Sequence, residues 1–264
     1  MSFPPGTAIV VRRYLSIAYR GRSLPSGERF SGGAKINFFS AWDLVVSGNP
    51  TLMAIVRLSL AVSLTAAVIA GAVGMPLGAS LALTRFPGRA TLIVLCNAMM
   101  GLPPVVVGLA VYLLLSRSGP LGAMGILFTP AAMIVAQTIL IVPIIAALTR
   151  QTVEDLWSEY SDELNSMEVG PVGRVATLLW DARYSLMTTL LAGFGRAIAE
   201  VGAVMIVGGN IDGFTRTMTT SIALETSKGD LPLAMGLGLV LICIVLAINA
   251  AAWVARLWSE RQAG

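Results

Sequence analysis

Two charged residues lie one helical turn apart within a segment of mostly apolar and small residues. They are Arg196 and Glu200, in the stretch 184–208. Charges are costly in a membrane interior, so a pair at this spacing requires a physical reason. One interpretation is that the two side chains neutralise each other inside a helix bundle. The other is that Arg196 attracts an anion in a membrane pathway while Glu200 moderates that attraction. We favour a structural or gating role, because a paired arginine is poorly available to an anion.

A second set of chemically capable residues forms an acidic segment, 154–168, between two apolar stretches. Its apolar residues recur at helical spacing and carboxylates flank them. This pattern predicts a short amphipathic helix that docks on a partner protein through apolar anchors and charge. The alternative is a solvated loop whose apolar residues touch lipid headgroups. The residues that we assign to docking are Leu156, Trp157, Tyr160, Asp162, Glu163, Leu164, Glu168 and Gly170.

Polar residues after the charged pair form a third group. Asn210 joins Arg196 and Glu200 as a candidate for the pathway or its gate. The stretch 215–221 is rich in hydroxyl groups, which makes a buried span improbable. It lines an external mouth or a re-entrant segment, or it is a solvated connector, and we favour the connector. Arg216 and Lys228 carry charge that can guide an anion on that side.

Several kinds of chemistry are missing from the sequence. There is no histidine, and both cysteines fall within apolar stretches, so we expect no metal site and no disulfide framework. No glycine-rich phosphate loop ending in Lys-Ser or Lys-Thr is present, so we expect no ATP bound by this chain. We therefore predict that the chain binds no cofactor and that any energy from ATP comes from a partner.

The composition indicates which elements must position these residues. Of the 264 residues, 56% are hydrophobic and 12% are charged, compared with about 25% charged in soluble proteins. Continuous apolar runs of this length predict membrane-spanning helices, each needing roughly 20 residues. We predict an all-α polytopic membrane protein with five spans, at Leu58–Thr84, Ala90–Ser116, Ser118–Thr149, 184–208 and Leu231–Ala255.

Within and between these spans, small residues and prolines have positional meaning. Gly74 and Gly78 form a small-xxx-small pattern, which allows two helices to approach closely. The prolines in or beside the spans remove backbone donors and predict kinked helices. These prolines are Pro76, Pro103, Pro104, Pro130, Pro143 and Pro232.

Charge placement predicts the orientation. If the loop 150–183 is cytoplasmic, most basic residues at the span ends of the body lie inside, in agreement with the positive-inside rule. Five spans then place the N-terminus outside and the C-terminal tail, 259–264, inside. The arm, 1–40, is basic but lies outside in this orientation, so it disagrees with the positive-inside rule. It is rich in Pro, Gly, Ser and Arg, and we interpret it as disordered or as preceding the true start. Its short apolar run does not make a signal peptide. Net charge of +4 reflects this placement and not nucleic-acid binding.

A family resemblance rests on the residues that follow. The segment Asp162–Asp181 is similar to the cytoplasmic loop of ABC-importer permeases, which reads Glu-Ala-Ala, three residues, Gly, nine residues, Ile-x-Leu-Pro. In that alignment Glu168 stands at the Gly position and Asp181 at the Pro position. The next span, with Gly-Arg-Ala-Ile-Ala-Glu-Val-Gly-Ala at 195–203 and Gly-Gly-Asn at 208–210, resembles the oxyanion branch of the family.

Other stretches resemble the same branch. They are residues 102–109 and 116–122. Within this branch, the chain looks most like the tungstate-type permease, because of residues 219–230 and the number of spans. The likeness covers about residues 41–258, which we take as the permease domain with a coupling loop at 150–183. It implies the type I ABC-importer permease fold in the inner membrane. It also implies a second copy of the chain, surrounding lipid, an extracytoplasmic oxyanion-binding protein, and a cytoplasmic ATPase that holds the ATP and magnesium.

The resemblance implies that the chain is a non-enzymatic permease subunit of an oxyanion importer, and we favour tungstate as the oxyanion. Molybdate or sulfate is the alternative within the same fold, since charge does not separate these tetrahedral dianions. A secondary anion carrier would need no ATPase, and the acidic amphipathic segment speaks against it. An intramembrane enzyme would need a nucleophile or base beyond Glu200.

Overall fold

The computed structural model describes residues 50–263, with side chains as far as Val254 except that of residue 252. The predictions for the arm, 1–40, lie outside these residues. All regular secondary structure within 50–263 is helical, as the sequence predicts. The described residues contain nine α-helices and one 3₁₀ turn, Gly122–Met124, which lies between α3 and α4. The helices are α1 Pro50–Leu83, α2 Arg89–Met100, α3 Pro104–Leu115, α4 Pro130–Ser166, α5 Pro171–Asp181, α6 Arg183–Ile198, α7 Gly202–Gly208, α8 Met218–Lys228 and α9 Leu231–Ala263.

Among the helices of residues 50–263, three are long and apolar enough to cross a membrane unbroken. They are α1, α4 and the apolar part of α9, residues 231–251. Two further spans exist only if a bent pair counts as one: α2 with α3, bent by 105°, and α6 with α7, bent by 60°. The predicted count of five is therefore reached only when each bent pair is counted as one broken span.

The break between α2 and α3 corrects the prediction of one continuous span at 90–116, and prolines explain it. Pro103 is extended and caps α3, and Pro104 is its first helical residue. Neither supplies a backbone donor, and a residue before proline is disfavoured in the helical conformation. Helix α2 therefore ends at Met100, and the chain turns sharply over Gly101–Pro103.

The boundaries of the neighbouring spans also differ from the prediction. The α-helix within the segment 118–149 begins only at Pro130. Proline suits this first helical position, because a backbone N–H there would have no partner within the helix. The first span begins at Pro50, eight residues before the predicted start. Pro76 and Pro143 lie inside unbroken helices.

Helices α1 and α4 form the centre of the bundle and pack closely through small residues. A Cβ on Gly78 would lie only 2.3 Å from the carbonyl oxygen of Ala146, and one on Gly74 would lie 3.0 Å from the Cβ of Ile145. The small-xxx-small prediction is therefore confirmed, since neither position has room for a side chain. A buried cluster joins α1, α3, α4 and α7, and it includes Val62, Val107, Met133 and Val204.

Candidate functional site

The ion pair predicted from the spacing of Arg196 and Glu200 is present. The Arg196 Nη1 lies 2.7 Å from the Glu200 Oε2, and Glu200 is 4% exposed whereas the Arg196 side chain is 38% exposed. The second carboxylate oxygen, Oε1, accepts the backbone N–H of Ala203 at 3.1 Å. Glu200 thus neutralises the arginine and caps the start of α7 at the same time.

The pair lies at the break between α6 and α7, where the backbone loses part of its helical hydrogen bonding. Side chains from two other helices satisfy it. The Gln137 amide of α4 donates to the Ala197 carbonyl at 3.0 Å, and the Thr219 hydroxyl of α8 donates to the Glu200 carbonyl at 2.9 Å. Buried carbonyls require such partners in a low-dielectric interior. The break is therefore a fixed feature tied to α4 and α8.

The hydroxyl-rich stretch 215–221 is not a solvated connector, which corrects our preferred interpretation. Six of its seven residues are buried, and only Arg216 is partly exposed. The Thr215 hydroxyl donates to the Gly208 carbonyl at 2.6 Å, and the Ser59 hydroxyl accepts the Met218 N–H at 2.7 Å. Threonine can be buried here because its hydroxyl finds a backbone partner within the bundle.

Asn210 lies in a turn that ends α7. Gly209 has φ 72° and Asn210 has φ 49°, so two successive residues adopt the left-handed conformation. Glycine and asparagine are the residues that tolerate it at least cost. The left-handed conformation of this turn explains why asparagine suits position 210, independently of any role in the pathway. Its Oδ1 is buried without a hydrogen-bond partner in this structure.

The two cations proposed to guide an anion both have acidic partners. Arg216 pairs with Asp212 at 3.0 Å, beside an open cavity of about 560 Å³, and Lys228 pairs with Glu225 at 3.0 Å. The Lys228 side chain is 52% exposed, whereas that of Arg216 is 17% exposed. Neither therefore presents an uncompensated charge to an anion in this conformation.

The acidic segment does not form a separate helix but continues α4. This helix has 37 residues and runs without a break from the apolar span through Ser166. At 1.5 Å per residue it is about 55 Å long, whereas the hydrocarbon core of a bilayer is about 30 Å thick. The docking residues therefore stand on the extension of a membrane span.

The apolar residues of this segment pack against their own chain. Leu164 is buried, and Leu156, Trp157 and Tyr160 pack as half-buried neighbours around a cluster of Ala79, Val153 and Leu178. The Arg174 guanidinium of α5 stacks over the Trp157 ring at 5.4 Å. These side chains join α4 and α5 into a helical hairpin beside the end of α1.

The turn between α4 and α5 carries the exposed apolar groups. Met167 is 73% exposed and Val172 is 83% exposed. Between them lie Glu168, with φ 52°, and Gly170, which caps α5. The position assigned to the family's glycine thus has the backbone conformation that glycine adopts most easily. We name the surface of Met167, Glu168, Gly170 and Val172 the hairpin tip.

Carboxylates surround the hairpin. Asp162, Glu163, Glu159 and Asp181 are exposed. The negative charge of Glu159, followed by partial burial and the charges of Asp181 and Glu163, raises the pKa of the Tyr160 phenol above its ordinary value. The phenol therefore remains protonated at physiological pH and can donate a hydrogen bond. The hairpin presents an acidic surface that suits a basic partner.

Two features of the site were missed from the sequence. Gln137 interrupts an apolar run, a signal that could have marked it as a partner for a broken helix. The ion pairs of Glu154 with Arg89 at 2.8 Å and Arg150 at 2.5 Å were also missed, although the second has the i,i+4 spacing. Within residues 50–263, no cluster of three or more metal-ligating side chains is present.

Comparison with known proteins gives close relatives among transport proteins. The sequence is 43% identical to the tungstate uptake system permease protein TupB of Peptoclostridium acidaminophilum over 213 residues, which cover 81% of this chain and 93% of the relative. It is 40% identical to a probable anion ABC transporter permease protein of Haloferax volcanii, over 75% of this chain and 88% of that protein.

A more distant relative has a different named substrate. The molybdenum transport system permease protein ModB of Azotobacter vinelandii is 27% identical over 64% of this chain and 79% of its own length. No protein-family model matches the sequence.

Proposed function

The chain belongs to the family of ABC-transporter permeases that contains these tungstate and anion permeases, and we propose that it is the membrane-spanning subunit of an importer for tungstate. The observation that carries this proposal is 43% identity over 93% of a tungstate permease, against 27% for a molybdenum permease. Molybdate and sulfate remain the competing substrates, because each is a tetrahedral dianion like tungstate.

The partners follow from the proposed function. A cytoplasmic ATPase binds and hydrolyses ATP with magnesium, an extracytoplasmic protein delivers the oxyanion, and a second copy of this chain completes the pathway. The complex lies in the inner membrane. The coupling loop and the C-terminus face the cytoplasm. The charged residues of the body favour this orientation.

The hairpin supplies the mechanical link to the ATPase. The tip offers Met167 and Val172 as apolar contacts, and the surrounding carboxylates offer charge. Because α4 is continuous, a displacement of the tip moves the membrane part of the same helix. The Trp157 and Leu164 side chains hold α4 and α5 together, so the hairpin moves as one body.

In the membrane, movement of α4 reaches the break between α6 and α7 through Gln137. Its amide contacts the Ala197 carbonyl beside the Arg196–Glu200 pair. We place the gate at this break, with Arg196 and Glu200 acting in gating and not as a binding site for the anion. The pair then keeps the break electrically neutral, and the arginine is not available to hold a dianion.

Cellular uptake tests the substrate. The chain is expressed with its ATPase and binding protein in cells that lack their own tungstate and molybdate importers, and the accumulated tungsten and molybdenum are measured by mass spectrometry. We expect tungsten to accumulate from equal low external concentrations of both anions. Equal accumulation of molybdenum would contradict tungstate selectivity, and no accumulation of either would contradict an importer for tungstate or molybdate.

A further inference from the structure

We infer that Arg183, which lies over the rings of Trp180 and Tyr184, and the apolar crevice lined by Leu179 and Leu190 form a binding site for one anionic phospholipid. The headgroup phosphate contacts the arginine, and an acyl chain occupies the crevice. The inference goes beyond the proposed function, because it depends only on the chain being a membrane protein and not on the anion it transports.

The arginine is held in place and remains open to a ligand. Its guanidinium carbon lies 5.2 Å from the ring centroid of Trp180 and 4.5 Å from that of Tyr184. Its Nη1 donates to the Trp180 carbonyl at 2.9 Å, and its other N–H groups remain for an acceptor. Asp181 is exposed nearby but makes no ion pair with it. Arginine in this planar arrangement suits a phosphate.

Three other basic residues on this side of the bundle differ from Arg183. Arg89 and Arg150 both pair with Glu154, and Arg174 stacks on Trp157 and donates to the Val169 carbonyl. Their charges are therefore compensated or occupied within the protein. Arg183 alone among these four has exposed aromatic neighbours, with Trp180 72% and Tyr184 40% exposed.

The aromatic residues place this cluster at a membrane–water boundary. Trp180 lies at the end of α5 and Tyr184 at the start of α6, where the chain enters a span. Tryptophan and tyrosine are enriched at this depth because their rings are apolar and their polar atoms reach water. The hairpin tip lies at the opposite end of α5, where Val172 is eight residues from Trp180, so a partner on the tip need not cover Trp180.

The crevice is apolar and has the size of an acyl-chain segment. Its volume is about 330 Å³. Leu179 lies four residues before Arg183, across the turn at Ala182, and Leu190 lies seven residues after it, about two turns further along α6. Residues on both sides of Arg183 in the sequence therefore line the crevice. Its lining residues are Val68, Gly71, Ala72, Met75, Pro76, Leu179 and Leu190.

Lipid retention tests the site in the full-length protein. The chain is purified from membranes, exchanged into vesicles containing equal phosphatidylglycerol and phosphatidylcholine, and the lipids that remain bound are counted by native mass spectrometry. We expect the wild type to retain one phosphatidylglycerol in preference to phosphatidylcholine. Arg183→Gln should lower this preference about fivefold, since one interfacial basic residue contributes about 1 kcal/mol toward anionic lipid. Arg85→Gln, another exposed arginine at the end of α1, is the matched control and should leave it unchanged.

A second variant separates a lipid from a free phosphate group. Ala72→Trp fills the crevice from its exposed side and leaves Arg183 intact. We expect it to lose the retained phosphatidylglycerol, whereas a site for free inorganic phosphate would be unaffected. Equal retention of both lipids by the wild type, or unchanged retention by Arg183→Gln, would overturn the inference. Loss of ATPase co-purification by Arg183→Gln with unchanged lipid would instead assign this surface to the ATPase.

Discussion

The two oxygens of the Glu200 carboxylate have different partners, and substitutions can separate their contributions. Glu200→Gln keeps an acceptor for the Ala203 N–H but removes the charge that compensates Arg196. Glu200→Ala removes both. We expect Glu200→Ala to lose about 1–3 kcal/mol of stability, as for an unsatisfied buried group, and Glu200→Gln to lose less. The midpoint of thermal unfolding in detergent measures both. Equal losses would contradict the capping role of the carboxylate.

The left-handed backbone at Glu168 carries a cost that glycine does not. With φ 52°, this residue has the conformation that disfavours L-amino acids by about 1 kcal/mol. Glu168→Gly should therefore stabilise the hairpin by up to that amount and raise the midpoint of thermal unfolding. Glu168→Ala, which keeps a Cβ, is the control. A gain with Ala equal to that with Gly would show that the charge and not the backbone is responsible.

At the scale of elements, the packing of α1 on α4 depends on Gly78. A Cβ at this position meets backbone oxygen of α4, which cannot move without displacing the helix. We expect Gly78→Val to prevent folding, measured as loss of monodisperse protein on size-exclusion chromatography. Gly195→Ala is the matched control, because a Cβ there meets nothing within 4 Å. It should be tolerated and can stabilise helix α6 by about 1 kcal/mol. Normal folding of Gly78→Val would contradict the close approach.

The α4–α5 hairpin separates residues that support a docking surface from residues that form it. Val172→Asp places a charge on the exposed tip and should abolish co-purification of the ATPase with little change in stability. Trp157→Ala should also weaken recruitment, but with a lower midpoint of unfolding, because Trp157 packs against Arg174 and the cluster around Leu164. Undiminished recruitment by both variants would contradict the assignment of the coupling segment.

The sequence predicts a helix correctly where a long apolar run or the spacing of charged residues specifies it. Apolar runs without charge predicted the spans at α1, α4 and α9, and the Arg196–Glu200 spacing predicted an ion pair. The continuity of α4 into the acidic segment was missed. The change from apolar to polar residues marks the end of a membrane span, but without a helix-breaking residue it does not end the helix. The burial of 215–221 was missed because its hydroxyls are satisfied by distant partners such as Ser59, which no local pattern reveals.

For the whole molecule, three connected regions make up the proposed machine. The hairpin tip receives the ATPase, α4 carries its displacement into the membrane, and the break beside Arg196 and Glu200 responds to it. The hydrogen bond from Gln137 to the Ala197 carbonyl is the direct link between the last two. In this proposal, selection among tungstate, molybdate and sulfate belongs to the partner that delivers the anion, since Arg196 and Glu200 at the break are paired with each other.

Anion-dependent ATP hydrolysis by the reconstituted complex tests the central claim most directly. The permease, its ATPase and its binding protein are placed in liposomes and titrated with tungstate, molybdate and sulfate. The account predicts stimulation by tungstate at a far lower concentration than by the other two anions. Equal stimulation by molybdate would contradict tungstate selectivity, and failure of the ATPase to associate with the permease would contradict the importer itself.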